Sequence, residues 1–159
     1  MWDQVVSVVR SEFAWDADVY ESLRLFLRLS TAALLGGLLG FEREISGREA
    51  GIRTHMLVSM GAAIFVMMAQ LSGSNEDAMS RVMQGIIAGI GFLCAGSILK
   101  NQDQTHVKGL TTAAGIWLTA AVGMAVGLGS LAAAIMLTLL TLVILSVVGY
   151  FVRRFDQRG

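Results

Sequence analysis

Five long apolar runs limit what this chain can fold into more than any other feature of its sequence. They occupy residues 23–41, 54–71, 82–99, 110–128 and 131–152. The last four runs contain no Asp, Glu, Lys or Arg. A helix needs about 20 residues to cross the hydrocarbon core of a bilayer, which is about 30 Å thick. Because every backbone amide in lipid needs a partner within the protein, we predict that each run is a transmembrane helix.

The composition agrees with a chain whose solvent is lipid. Hydrophobic residues make up 55% of the 159 positions and charged residues 15%, whereas an ordinary soluble domain has about 45–50% and about 25%. This balance excludes a disordered chain, and the single cysteine excludes a disulfide within the chain. The net charge is zero, so we expect no nucleic acid as a partner. The predicted fold class is all-α: a polytopic membrane protein with five transmembrane helices in a lipid bilayer.

The runs divide the chain into three predicted parts. Residues 1–22 mix acidic, aliphatic and aromatic side chains, which is typical of a short amphipathic segment at the membrane interface. Residues 23–152 form the transmembrane domain, and residues 153–159 form a short basic tail. Eight basic residues fall on the side that holds this tail and four on the other side. By the positive-inside rule, we expect the N-terminus outside and the C-terminus in the cytoplasm.

Small residues within the runs predict close helix packing. Lipid supplies no hydrophobic force between helices, so helices associate through small side chains that let their backbones approach. We expect the third run to be central because it is uncharged and rich in small residues, and the leucine-rich fifth run to face lipid. This pairing could include a seam between two copies of the chain. The alternative is that the four-residue glycine spacings occur by chance in a glycine-rich membrane protein. The candidate packing residues are Gly36, Gly40, Gly85, Gly89, Gly91, Gly96, Gly123 and Gly127.

Polar residues that could carry function gather where the predicted helices reach the cytoplasmic face. Charged groups at the edge of a bilayer are costly, which makes them functional candidates. Two predicted helix N-termini meet basic side chains here, and the positive end of a helix attracts anions. The alternative is that the charged residues only anchor the helix ends at the interface. The predicted cluster consists of Glu42, Arg43, Arg53, Thr54, Lys108, Thr111 and Thr112.

The residue types inside the runs argue against several chemistries. Magnesium prefers oxygen ligands such as carboxylates, and none of the runs contains a carboxylate, which argues against an autonomous magnesium pump. Cys94 has apolar neighbours and is interpreted as a packing residue. His55 and His106 have no partner at metal-ligand spacing. We therefore expect no cofactor, no metal site and no enzymatic activity.

Four segments of the chain follow the order and spacing of a known family. They read LLGGLLGFERE (34–44), AGIRTHMLVSMGAA (50–63), GIIAGIGFLCAGSILK (85–100) and VKGLTTAAGIWLTAAVGMAVG (107–127). Together they resemble the MgtC/SapB family of bacterial inner-membrane proteins, and the resemblance extends over about residues 24–150. Gly51 and Gly109 belong to the family motifs, as do the residues of the polar cluster. Lys108 stands where arginine is more usual, and lysine is a point charge rather than a planar fork.

The resemblance implies a multi-pass protein of the bacterial inner (plasma) membrane. It also implies an association with growth under magnesium limitation and, in pathogens, with survival inside host cells. Family members are linked to restraint of the ATP synthase, which makes that complex the implied partner. Longer members carry a cytoplasmic regulatory domain after the last helix, and we expect this chain to lack it.

Three functions stay open at this point. The first is a non-enzymatic regulator that binds another membrane complex through its helices. The second is an oligomeric conduit for Mg²⁺ or an anion, which would use the basic cluster and the glycine backbones. The third is a binder of lipid or phosphate headgroups at the N-terminal ends of the second and fourth runs. The sequence favours the regulator because the runs carry no acidic ligands for an ion path.

Overall fold

The computed structural model describes residues 1–13, 19–99 and 109–149, and these residues are folded mainly into helices. They are α1 (Trp2–Phe13), α2 (Val19–Ile45), α3 (Ile52–Leu71), α4 (Glu76–Leu99), α5 (Leu110–Leu128) and α6 (Leu131–Val143). A π-helical turn at Ile144–Val148 continues α6. The described residues contain no strand. The predicted all-α class is therefore confirmed.

Five helices are long and apolar enough to cross a membrane, as the five runs predict. They span Val19–Ile45, Ile52–Leu71, Glu76–Ile98, Leu110–Leu128 and Leu131–Val148. The polytopic fold is thus confirmed by length and composition. The short helix α1 precedes them and exposes Trp2 and several valines, and its place at the membrane interface stays a prediction. The predicted basic tail, residues 153–159, lies outside the described residues.

Helix α5 lies at the centre of the bundle and contacts α2, α3, α4 and α6. In its most apolar stretch 56% of the residues are buried, compared with 11% in α4. The expectation that the third run, now α4, would be central is therefore wrong. The physical reason is that small residues occur on several sides of α5, including Ala113, Gly115, Ala120 and Gly123, so several neighbours can approach it. Helix α6 exposes most of its large apolar side chains, as expected for a helix that faces lipid.

Helix α3 is held between glycines of α2 on one side and of α5 on the other. A Cβ added to Gly36 would lie 2.6 Å from the carbonyl oxygen of His55, and one added to Gly40 would lie 2.6 Å from the Cα of Ile52. A Cβ on Gly127 would lie 2.7 Å from the carbonyl oxygen of Ala63. Gly123 packs in the same way on the backbone of Ser59. These positions admit only glycine because the backbones themselves are in contact.

The glycines of α4 have different surroundings. A Cβ added to Gly85, Gly89, Gly91 or Gly96 would meet no heavy atom of the described residues within 4 Å. Gly85 and Gly89 line an apolar groove of about 770 Å³ between α3 and α4. The small-residue surface of α4 is therefore unpaired within the described part of this chain.

Candidate functional site

The corner between α2 and α3 is built by the segment that follows the last turn of α2. The chain turns at Gly47, whose φ of +66° favours glycine, and the N–H of Arg48 bonds the carbonyl oxygen of Arg43 at 3.0 Å. Helix α3 then begins at Ile52, and its backbone N–H donates to Oε2 of Glu44 at 2.9 Å. A carboxylate stabilises the positive N-terminal end of a helix. Glu44 therefore joins the end of α2 to the start of α3.

Glu42 and Arg43 form a nearly buried ion pair beside this corner. Their charged atoms are 3.6 Å apart, and the side chains are only 13% and 3% exposed. The Oγ of Ser46 donates to Oε1 of Glu42 at 2.8 Å, which orients the carboxylate. Removing two charges from water is expensive, so a buried pair is weak evidence of stabilisation. Its cost makes the pair a functional candidate.

A cavity of about 370 Å³, lined by both polar and apolar side chains, opens next to this ion pair, and we call it the Glu42 pocket. Helix α2, the loop after it, the start of α5 and the π-helical turn of α6 form its walls. Turns of π-helix occur frequently at functional sites. The lining residues are Glu42, Arg43, Ser46, Arg48, Thr111, Ile144, Leu145, Val148 and Gly149.

Two polar side chains of α3 are completely buried between α2 and α5. His55 is 1% exposed, and its Nδ1 lies 3.0 Å from the carbonyl oxygen of Gly51. Ser59, one turn further along, is 0% exposed. The Nε2 of His55 and the Oγ of Ser59 have no hydrogen-bond partner among the described residues. Such atoms carry a desolvation cost of about 1–3 kcal/mol, so they are functional candidates.

The predicted polar cluster is only partly gathered around one cavity. Glu42, Arg43 and Thr111 line the Glu42 pocket, and Thr112 is buried at the start of α5. Arg53 is exposed and Thr54 is half-buried, and neither lines this pocket. Lys108 lies outside the described residues. The anion that the N-terminus of α3 was expected to attract is the chain's own Glu44.

Sequence reasoning missed three of these features. The turn at Gly47 places Glu44 at the start of α3, and no local sequence motif predicts this placement. His55 has no partner at metal-ligand spacing, but it lies four residues before Ser59, and this spacing puts both side chains on one face of a helix. The π-helical turn has no recognisable pattern in the segment 144–148.

Comparison with known proteins decides the family of this chain. A sequence profile of the MgtC family matches residues 29–154, which include most of α2 and all of α3 to α6. The chain belongs to the MgtC family. Together with the five apolar helices, membership in this family makes the chain a multi-pass membrane protein. No solved structure matches the chain significantly.

Three relatives of this MgtC-family chain illustrate the similarity. Protein SrpB of Synechococcus elongatus is 44% identical over 135 residues, which cover 78% of this chain and 74% of SrpB. YhiD of Escherichia coli, named as a candidate magnesium transporter, is 39% identical over 76% of this chain and 59% of YhiD. Protein MgtC of Brucella abortus is 50% identical over 64% of this chain, but the match spans only 41% of that protein.

Proposed function

We propose that this MgtC-family protein is a non-enzymatic regulator in the bacterial inner membrane, which supports growth under magnesium limitation by binding another membrane protein. The observation that carries this proposal is the unpaired surface of α4. Its glycines have no heavy atom of the described residues within 4 Å of their Cβ positions. Membrane helices use such surfaces to approach one another closely. A transmembrane helix of a partner is therefore the occupant that we propose for the α3–α4 groove.

The names of relatives supply the magnesium part of the proposal. YhiD of Escherichia coli is named for magnesium transport, and Brucella abortus contains a relative named MgtC. The resemblance described above makes the ATP synthase the first partner to test. A second copy of this chain is the competing occupant of the α4 surface.

The distribution of acidic side chains favours a regulator over a magnesium pump. Among the described residues, no group of three or more His, Cys, Asp or Glu side chains is arranged to hold a metal ion. The acidic residues of the membrane-spanning helices lie in the first or last turns, as Glu21, Glu42, Glu44, Glu76 and Asp77 do. Magnesium transport through one chain would need oxygen ligands nearer the middle of the bilayer.

The test combines growth at limiting magnesium with purification from native membranes. The double variant Gly85→Leu/Gly89→Leu places two bulky side chains on the α4 surface. The double variant Ala132→Leu/Ala133→Leu places the same side chains on exposed positions of α6 and is the matched control. We expect the α4 variant to lose both growth and a co-purifying protein, whereas the α6 variant keeps both.

Two results would contradict the regulator. One is full growth with the α4 variant. The other is repeated recovery of the unsubstituted chain without any partner in mild detergent. If only a second copy of this chain is recovered, the α4 surface joins copies in a homo-oligomer and the proposal of a different partner protein is wrong.

An oligomeric ion conduit is the second candidate, and one observation favours it. The Nε2 of His55 and the Oγ of Ser59 are buried on α3 and have no hydrogen-bond partner among the described residues. Polar atoms inside a membrane bundle are found along ion pathways. A conduit predicts Mg²⁺ or anion flux into reconstituted vesicles above that of empty vesicles. This flux would fall with Glu42→Ala and Arg53→Ala but not with Glu49→Ala, and absence of flux would remove the candidate.

A further inference from the structure

A second cavity, with a more polar lining, lies at the opposite end of the bundle from the Glu42 pocket. It has a volume of about 510 Å³ and lies between the first turns of α2 and the last turns of α3. We call it the arginine pocket. The lining residues are Glu21, Arg24, Leu25, Arg28, Met67, Gln70, Leu71 and Ser74.

Arg28 is held in a defined position in the wall of this pocket. Its Nη1 donates to the carbonyl oxygen of Gly127 at 2.8 Å and to Oε1 of Gln70 at 3.3 Å. The last carbonyls of a helix carry partial negative charge, so the guanidinium stabilises the end of α5. Gly129 has a φ of +85° and lies beside Nη2 of Arg28. A Cβ at this position would collide with the guanidinium, so glycine leaves room for the Arg28 side chain. The structure therefore orders Arg28 before a ligand binds.

Arg28 also keeps donors for a ligand. Both of its hydrogen bonds start from Nη1. Nε and Nη2 donate no hydrogen bond to another described residue. A guanidinium has five N–H donors in a planar fork that matches phosphate oxygens. Because Arg28 is already ordered, binding an anion costs little additional conformational entropy.

Arg24 lies one helical turn before Arg28 on the same side of α2. It pairs with Glu21 at 3.2 Å, and the two side chains are 46% and 39% exposed. Exposed ion pairs contribute little free energy, so Arg24 can exchange Glu21 for another anion. The side chains that line the pocket carry two positive charges and one negative charge. Gln70 and Ser74 supply further polar groups, and the pocket as a whole fits a phosphate group.

The surroundings of the pocket indicate where this phosphate comes from. Leu23, Phe26 and Leu27 are exposed on the same turns of α2 that carry the arginines. Leu25, Met67 and Leu71 line the pocket itself. A phosphate that reaches Arg28 between apolar side chains at the end of a membrane span is best supplied by a lipid of that leaflet. We propose that the arginine pocket binds the phosphate of a phospholipid headgroup.

The experiment measures ligand binding to the purified full chain in detergent. Native mass spectrometry and thermal unfolding are recorded with phosphatidylglycerol, with diacylglycerol of the same chains, and with inorganic phosphate. We expect phosphatidylglycerol to bind and to raise the unfolding temperature. Diacylglycerol, which lacks the phosphate, and free phosphate at the same concentration should do neither. Stabilisation by free phosphate alone, or by diacylglycerol alone, would overturn the lipid proposal.

Variants assign the binding to the pocket. Arg24→Gln should weaken phosphatidylglycerol binding at least about tenfold, since charge-assisted hydrogen bonds to phosphate are lost. It should leave the lipid-free protein about equally stable because the ion pair between Arg24 and Glu21 is exposed and contributes little free energy. Arg81→Gln is the matched control, since Arg81 is exposed near the start of α4 and lines none of the described cavities. Equal weakening by both variants, or by neither, would overturn the proposal.

Discussion

The carboxylate of Glu44 caps the helix that follows it, because its Oε2 accepts the N–H of Ile52 at 2.9 Å. The two residues belong to different helices, α2 and α3, and the turn at Gly47 separates them. This contact joins the last turn of α2 to the first residue of α3. The partial positive charge at the N-terminus of α3 is therefore balanced by the carboxylate of Glu44 from the same chain.

Replacement of Glu44 should therefore destabilise the α2–α3 corner. We expect Glu44→Ala to lower the free energy of unfolding by about 0.5–2 kcal/mol, the usual cost of losing an N-terminal cap. Glu49→Ala is the control, because Glu49 is exposed in the same loop. Unfolding of both variants is followed by circular dichroism in detergent. Equal stabilities for the two variants would contradict the capping role.

A methyl group should be harmful on α5 and harmless on α4. Gly123→Ala forces a Cβ into the backbone of Ser59, and such overpacking costs about 1–3 kcal/mol. Gly85→Ala has open space and gains about 1 kcal/mol of helix propensity. Thermal unfolding of the two proteins in detergent should thus shift in opposite directions. A shift in the same direction would show that the packing around α5 is described wrongly.

The buried hydroxyl of Ser59 should not contribute to stability. Its Oγ has no hydrogen-bond partner among the described residues, so Ser59→Ala should leave the free energy of unfolding unchanged or raise it by up to about 1 kcal/mol. Ser59→Val adds volume against Gly36 and Gly123 and should cost about 1–3 kcal/mol. A clear loss of stability in Ser59→Ala would mean that the hydroxyl has a partner.

Labelling of single cysteines should test the proposed orientation. Cys94 is buried and donates to the carbonyl oxygen of Ala113 at 3.1 Å, so Cys94→Ala provides a background without a thiol. In this background, Arg48→Cys should react with an impermeant maleimide only from the cytoplasmic side. Asn75→Cys, at the other end of α3, should react only from outside, since α3 crosses the bilayer once. Reaction of both from one side would contradict the predicted topology.

The helices could be predicted from the sequence because their cause is local. The run at 110–128 coincides with α5, and the first three runs fall within α2, α3 and α4. The described part of the fifth run, residues 131–149, is helical as well. Backbone groups in lipid must bond within their own segment, so an apolar stretch of sufficient length determines its helix. The hydrogen-bond partners of polar side chains cannot be predicted from the local sequence in this way. Arg28 reaches Gly127, 99 positions away, and only the path of the chain brings them together.

The number, type and approximate limits of the membrane-spanning helices follow from the order of residues alone. Which small-residue surfaces are paired follows from the three-dimensional packing of the helices. Gly85 and Gly123 occupy the same kind of four-residue repeat, yet Gly123 contacts the backbone of Ser59 and Gly85 borders an open groove. Lipid provides no hydrophobic force that would favour pairing of one such surface over another. Pairing therefore depends on how closely two whole helices pack, and Gly123 and Gly127 of α5 contact the α3 backbone whereas Gly85 of α4 does not.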